Sequence, residues 1–413
     1  MKTDAELERF LHEYGAEVAP AEGTGGHSLK PAEVRRLAVA NHPAVMAAQA
    51  KVAQAQAHLG TAAAWPNPEL EGRVLFDLDG RAEGEGALLF TLPLGGRIGA
   101  AREQAVAEFD LARVGLATAR KRAMLQADRL LSRLAQAEAR LALFESLAKR
   151  SRQYASLAKS RRAASMADPL DVALVLADAA GDRRAVTRAR TEIASIKQKL
   201  RLLLGLAPAE ADFNVPQSAR QELLESPDQL IKAALAHRPE LLQARLELVL
   251  TDRRVARATA ERVPDLQLGP VVEAREDSVA FGFMLSIPLP LLQTSSGPYR
   301  EALAAREGAR EAYRQAARDA VDRVREEMNR LKSAETELDE LIGEATIALE
   351  GALEVAEARY SAGKLDVLRL LSVHRAFAEL KLDYLDLLLA QREALIDLER
   401  AVGRPVKTKE VTP

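Results

Sequence analysis

The chain is written twice. Landmarks in residues 29–206 recur in the same order in residues 227–404, offset by 195 to 198 positions. His42 and Pro43 return as His237 and Pro239, and Pro68-Glu69-Leu70 as Pro264-Asp265-Leu266. Pro93 returns as Pro288, and Leu170-Asp171-Val172 as Leu365-Asp366-Val367. Each repeat closes on an apolar helix followed by Gly205 or Gly403 and then by Pro208 or Pro405. Prolines and glycines fix element boundaries, so their ordered recurrence is not the chance likeness of Ala- and Leu-rich helices. The chain therefore divides into an N-terminal extension and linker (1–28), a first repeat (29–206), a connector (207–226), a second repeat (227–404) and a tail (405–413).

Each repeat reads as helix, two strands, very long helix, tight turn, helix. The predicted helices are 31–64, 97–162 and 170–205, then 227–262, 298–360 and 365–402. The fold class is mainly α with a small β part. Residues 97–162 contain no proline. At about 1.5 Å per residue such a helix is ~100 Å long, and it must pack sideways on partners to be stable. The two shorter helices of the same repeat sum to a similar length, so end to end they match it. The expected architecture is a rod of paired helices, with strands at one end and turns at the other. A seam at alternating three- and four-residue steps supports the pairing: Val321, Val324, Met328, Leu331, Leu338, Ile342, Ala345, Leu349, Ala352 and Ala356, with Glu335 as a polar intruder.

Between the first two helices of each repeat the hydrophobic period falls from 3.6 to 2. Leu70, Val74, Phe76 and Leu78 alternate with polar residues, and Leu88, Phe90, Leu92 and Leu94 share a face. Leu266, Leu268 and Val272 follow in the second repeat, then Val279, Phe281, Phe283, Leu285 and Ile287. Hairpin loops are expected at 80–84 and 275–277. Strands of about ten residues suit a tilted membrane-spanning β-strand. A small soluble sheet with one buried face would show the same alternation. Four strands cannot close a barrel around a lumen, so the membrane reading requires several chains.

Composition narrows the function. There are 58 basic and 60 acidic residues, a net charge of −2 and only 4% aromatics, which argues against nucleic-acid binding. The absence of cysteine excludes disulfides, thiolate metal sites and cysteine nucleophiles. No stretch of about 18 apolar residues forms a membrane helix. The first residues, Met1 to Glu6, are polar and lack a signal-peptide core, which favours an alternative reading as a soluble elongated coiled-coil scaffold. Leu7, Phe10, Leu11 and Tyr14 predict a short helix before a flexible linker. Gly95-Gly96-Arg97-Ile98-Gly99 matches no phosphate-loop pattern and reads as a tight strand-to-helix exit. The six histidines (His12, His27, His42, His58, His237 and His374) are scattered, without metal-ligand spacing. No acid–base pair or nucleophile motif is present, so neither an enzyme nor a cofactor nor a metal site is expected.

Helix, hairpin, long helix and helix, duplicated, resembles the TolC family of outer-membrane efflux proteins over about residues 29–404. Local matches are Pro66-Asn67-Pro68-Glu69-Leu70, Leu92-Pro93-Leu94-Gly95-Gly96-Arg97, Ile287-Pro288-Leu289-Pro290 and Ala358-Arg359-Tyr360-Ser361-Ala362-Gly363 before Leu365-Asp366-Val367-Leu368. The first of these and the compact tip look like the heavy-metal (cobalt–zinc–cadmium) branch. The resemblance implies a homotrimer with a twelve-stranded β-barrel in outer-membrane lipid above a twelve-helix α-barrel. It also implies docking to a periplasmic adaptor and, through it, to an inner-membrane pump of the resistance-nodulation-division (RND) type. The adaptor-contact tips would be Ala163, Ala164, Ser165, Met166, Ala167 and Asp168, with Ser361, Ala362, Gly363 and Lys364. Tyr360 and Asp366 occupy the places that tie neighbouring coils and narrow the aperture, and Arg369 replaces the family's second acid. For Asp171 and Asp366, plain stabilisation of a helix's first turn, ~0.5 kcal/mol, is the alternative role.

Overall fold

The computed structural model describes residues 28–76, 82–206, 211–215, 219–275, 278–289, 296–342 and 344–411. Residues 1–27, which hold the expected short helix and nearly all of the expected 1–28 extension, lie outside the described residues, as do 80–81 and 276–277 of the expected hairpin loops. In chain order the elements are β1 (Ser28–Leu29), α1 (Pro31–Asn41), α2 (Pro43–Ala62), β2 (Glu69–Phe76), β3 (Ala82–Leu92), α3 (Arg97–Ala163), α4 (Pro169–Leu204), β4 (Asp212–Phe213) and β5 (Arg220–Leu223). The second repeat continues with α5 (Pro227–His237), α6 (Pro239–Ala260), β6 (Leu266–Arg275), β7 (Ser278–Ser286), α7 (Ser296–Ile342), α8 (Glu344–Ser361), α9 (Val367–Val402) and β8 (Thr408–Val411). Ala82, Glu83 and Gly84, expected in a loop, belong to β3.

Two helices expected to be continuous are each broken by proline. His42 (φ −65°, ψ 127°) separates α1 from α2, and Arg238 (φ −69°, ψ 122°) separates α5 from α6. Pro43 and Pro239 have no N–H to donate to the preceding turn, and their rings push the residue before them into extended backbone. The helix expected over 298–360 is described as α7 and α8, on either side of residue 343, which lies outside the described residues.

The chain forms two compact units, and each draws segments from both repeats. Of the described residues, one contains those within 47–118 and 239–318; the other contains those within 28–46, 119–238 and 319–411. In the second unit, Val34, Leu37, Leu131, Leu134, Leu200, Leu204 and Phe213 form one buried core around α1, α3 and α4. Leu230, Val324, Leu331, Leu395, Leu398 and Val402 form its counterpart around α5, α7 and α9. The connector and tail are not plain links. β4 pairs in parallel with β1, and β5 pairs antiparallel with β8. Beside that second pair the Glu225 carboxylate accepts from Arg404 at 2.5 and 3.1 Å and from the Lys407 N–H at 2.9 Å. The Arg404 hydrogen bond, against the opposing cost of burial, holds the Glu225 carboxyl below its usual range.

The predicted seam needs one correction. Val324, Leu331 and Leu338 are buried, but Ala352 is exposed and Leu353 takes its place inside. A helix of 3.6 residues per turn drifts against a strict 3.5-residue pattern, so the buried stripe advances by a residue.

The two breaks and the two terminal glycines meet within this second unit. α4 ends at Gly205 (φ 66°) and α9 at Gly403 (φ 87°), both left-handed. Asn41, just before the first break, donates from its side chain to the Leu204 carbonyl at 2.7 Å. A β-carbon at Gly205 would only touch Asn41, at 3.4 Å, whereas one at Gly403 would overlap the backbone of His237 and Arg238. Gly403→Ala is therefore expected to destabilise by about 2 kcal/mol or more, and Gly205→Ala by about 1 kcal/mol. Thermal unfolding of the two variants checks the order; equal losses would contradict the close approach at Gly403.

Candidate functional site: the helical tips and the strand face

Both helical tips close with the same hydrogen bonds. After α3, Met166 N donates to Arg161 O at 2.8 Å and Ser165 N to Arg162 O at 2.9 Å. After α8, Lys364 N donates to Arg359 O at 2.8 Å and Gly363 N to Tyr360 O at 3.0 Å. This pair of bonds is the Schellman closure, and it needs one left-handed residue. Gly363 (φ 75°) fills that position in the second tip and Ser165 (φ 58°) in the first. The next helix is then opened by a carboxylate. Asp168 Oδ1 accepts from Leu170 N at 2.8 Å, and Asp366 Oδ2 from Leu368 N at 3.2 Å.

The counterpart of Asp366 is therefore Asp168, at an offset of 198, and not Asp171 as the repeated Leu-Asp-Val triplet suggests. Asp171 lies one turn further along α4. Three residues bring a helix back to nearly the same face, so the triplet can be matched one turn late.

Tyr360 is 4% exposed and packs with Tyr154, Ala158, Val175, Ala356, Val367 and Leu370 in one core beneath both tips. The Arg161 guanidinium lies 4.6 Å from its ring centre, donates to the Tyr360 carbonyl and reaches the Ser361 carbonyl at 3.3 Å. Burial raises the Tyr360 hydroxyl pKa; Asp171 and Asp366 push the same way and Arg161 opposes them. Tyr360 and Asp366 are thus brought together, whereas Arg369 is exposed on the first turn of α9. Ala163, Ala164, Ser165, Met166, Asp168, Ser361, Ala362, Gly363 and Lys364 are exposed, and Ala167 is half-buried. Three large apolar side chains, Met166, Leu170 and Leu368, are exposed beside them.

Sequence reasoning missed Arg161 and a polar layer deeper in this unit. Asp182 Oδ2 accepts from Ser151 and lies 3.2 Å from His374 Nε2. Burial raises the Asp182 pKa, but the hydrogen bonds from His374 and Ser151 outweigh it and hold the carboxyl below its usual range. Tyr154 donates to Glu357, and burial raises its pKa. Asp178 and Asp182 are four apart on α4, a visible signal; nothing in the sequence marks His374 as their partner.

In the other unit, β2, β3, β6 and β7 form one antiparallel sheet in that order. Register puts the apolar set on one face: Leu70 opposite Leu88, Phe90 opposite Leu268, Leu268 opposite Leu285, and Val272 opposite Phe281. That face is open. Leu70 is 83% and Phe281 82% exposed, and Val74, Phe76, Phe283 and Leu285 are exposed as well. The opposite face is charged, with Arg73 near Glu85 (3.9 Å) and Arg275 near Glu83 (3.7 Å) and Glu273 (3.5 Å). Among the described residues it also holds a small buried cluster of Ala87, Leu89 and Val271 against Met284. Gly95 and Gly96, both with positive φ, make the tight exit from β3 into α3. No helix among the described residues is long and apolar enough to cross a membrane.

The family described as outer membrane efflux protein matches residues 34–206 and again residues 230–404. The chain belongs to that family. Its members are passive outer-membrane channels and not enzymes. No curated protein sequence matches the chain. Among solved structures, a membrane protein from Pseudomonas aeruginosa is 19% identical with a TM-score of 0.77, covering 95% of this chain and 96% of that one. The outer membrane protein VceC from Vibrio cholerae is 17% identical with a TM-score of 0.75, covering 91% and 97%. The open state of the MtrE outer membrane channel from Neisseria gonorrhoeae is 17% identical with a TM-score of 0.75, covering 91% and 89%. These likenesses establish the mainly helical fold with its small β part. In this family member the two tips differ at a position of fixed backbone conformation. Ser165→Gly is expected to stabilise by up to about 1 kcal/mol, and Gly363→Ala to destabilise by about 1–2 kcal/mol. Opposite shifts in thermal unfolding check this; a loss in both would contradict the shared turn.

Proposed function

We propose that the chain is one subunit of a homotrimeric outer-membrane duct in a tripartite efflux system. The observation that carries this reading is the four-stranded sheet with its apolar face exposed and the outer edges of β2 and β7 unpaired among the described residues. A soluble scaffold would turn that face inward, and long exposed edges invite pairing with another chain. Three copies join edge to edge into twelve strands, which removes every edge and presents the apolar face to lipid and the charged face to the lumen. The exposed residues around Met166 and Lys364 supply the surface for a periplasmic adaptor, and Tyr360 and Asp366 border the inner aperture. Small molecules or metal ions pass through without a binding step, and an RND-type inner-membrane pump supplies the energy.

Expressed with a secretion signal, the chain is expected in the outer membrane as a heat-sensitive trimer in mild detergent. Phe281→Asp combined with Phe283→Asp abolishes that insertion; a detergent-independent monomer in the wild type would overturn the duct. In planar bilayers, Asp366→Ala is expected to raise single-channel conductance, and an unchanged conductance would leave Asp366 with its capping bond alone.

A further inference from the structure

We propose that Asp178, Asp182 and His374 bind one divalent cation of the zinc type per chain, in the polar layer behind the tips. Asp178 and Asp182 lie on one face of α4 and His374 on α9, and one ligand atom from each lies within 4.8 Å of the others. His374 Nε2 is 3.2 Å from Asp182 Oδ2 and 3.3 Å from Ser151 Oγ. Two ligands each about 2.1 Å from a tetrahedral zinc stand about 3.4 Å apart, so His374 and Asp182 already have ligand spacing, and Asp178, within 4.8 Å, closes in to complete the set.

A second observation also points to a ligand. The Asp178 side chain is 10% exposed; Arg375 holds its Oδ1 at 2.8 to 2.9 Å, while its Oδ2 is buried without a hydrogen-bond partner. His374, 2% exposed, sets its Nε2 beside the Asp182 carboxylate in the same buried layer. Unsatisfied buried polar atoms are costly, and an anionic oxygen among them is relieved by a cation. Two carboxylates against one guanidinium leave the acidic side of the cluster at a formal charge of −1, receptive to a second positive group. Mixed imidazole and carboxylate ligands suit zinc, cobalt(II) or nickel(II) better than calcium or magnesium, which prefer oxygen alone.

The same side chains do not form a nucleophilic relay. Ser151 and Asp182 both meet Nε2, whereas a relay needs them on opposite ring nitrogens, and Ser151 is 1% exposed. A bound ion instead ties α4 of one repeat to α9 of the other. The Tyr154 ring, set edge-on to His374 with centroids 5.6 Å apart, passes that constraint to Glu357 on α8.

The test uses the purified full chain in mild detergent, stripped with a chelator and titrated with Zn²⁺ by calorimetry and with Co²⁺ by visible absorption. One equivalent per chain and a four-coordinate cobalt spectrum are expected. His374→Gln and Asp182→Asn lose both signals, Ser151→Ala weakens binding at least about 10-fold, and His58→Gln, at an exposed His58–Glu108 pair, changes nothing. Absence of stoichiometric binding, or equal binding by His374→Gln, overturns the site. Should the His374 and Asp182 variants fail to assemble, zinc-edge anomalous scattering from wild-type crystals decides: a peak among the three side chains supports the proposal, and no peak there refutes it.

Discussion

The constraint on which the rest depends is the open apolar face of a four-stranded sheet. Burying a single Phe or Leu contributes about 1.5–3 kcal/mol. Leu70, Phe76, Phe281, Phe283 and Leu285 all forgo that gain within the isolated chain. Pairing register leaves no choice of face, because a slip of one residue would exchange the apolar set for a charged one. The chain cannot satisfy this surface from its own described residues. Lipid on the face and further strands on the two edges satisfy it together, which is why membrane insertion and oligomerisation enter as one requirement.

Much of the fold was legible because it is written in residues with few backbone options. Pro43 and Pro239 break helices, Gly205 and Gly403 end them, and period-2 alternation marks β2, β3, β6 and β7. What was not legible depends on contact rather than pattern. Alternation alone does not say whether the apolar face is buried or open. The strands in the connector and tail are too short to carry a period, and they exist because β1 and β8 pair with distant partners. At the tips, the triplet containing Asp171 misled because a helix repeats its face every turn, and only the capping bonds identify Asp168 as the equivalent of Asp366. The polar layer was hidden for the same reason: Ser151, Asp182 and His374 come from three helices.

Duplication explains the pairing of features in the second unit. Each terminal glycine meets a proline-induced break, and each tip uses the same turn and the same carboxylate cap. Divergence is concentrated in what those frames hold. Gly403 is fixed by the backbone of His237 and Arg238, whereas Gly205 faces only the Asn41 side chain. In the polar layer the first repeat provides Ser151, Asp178 and Asp182, and the second provides His374 and Glu357. The copies have become complementary there, so neither holds the cluster alone.

The difference between Ser165 and Gly363 has a consequence for recognition. In the proposed trimer, six turns of one backbone shape are displayed, but they alternate in kind. Three carry a hydroxyl with Met166 and Asp168 nearby, and three carry a bare glycine next to Lys364. A partner ring that reads backbone shape meets sixfold order; one that reads side chains meets only threefold order. Rotating such a partner by a single tip would leave its geometric fit intact while exchanging its chemistry, so the two turns together define a phase as well as a place of attachment.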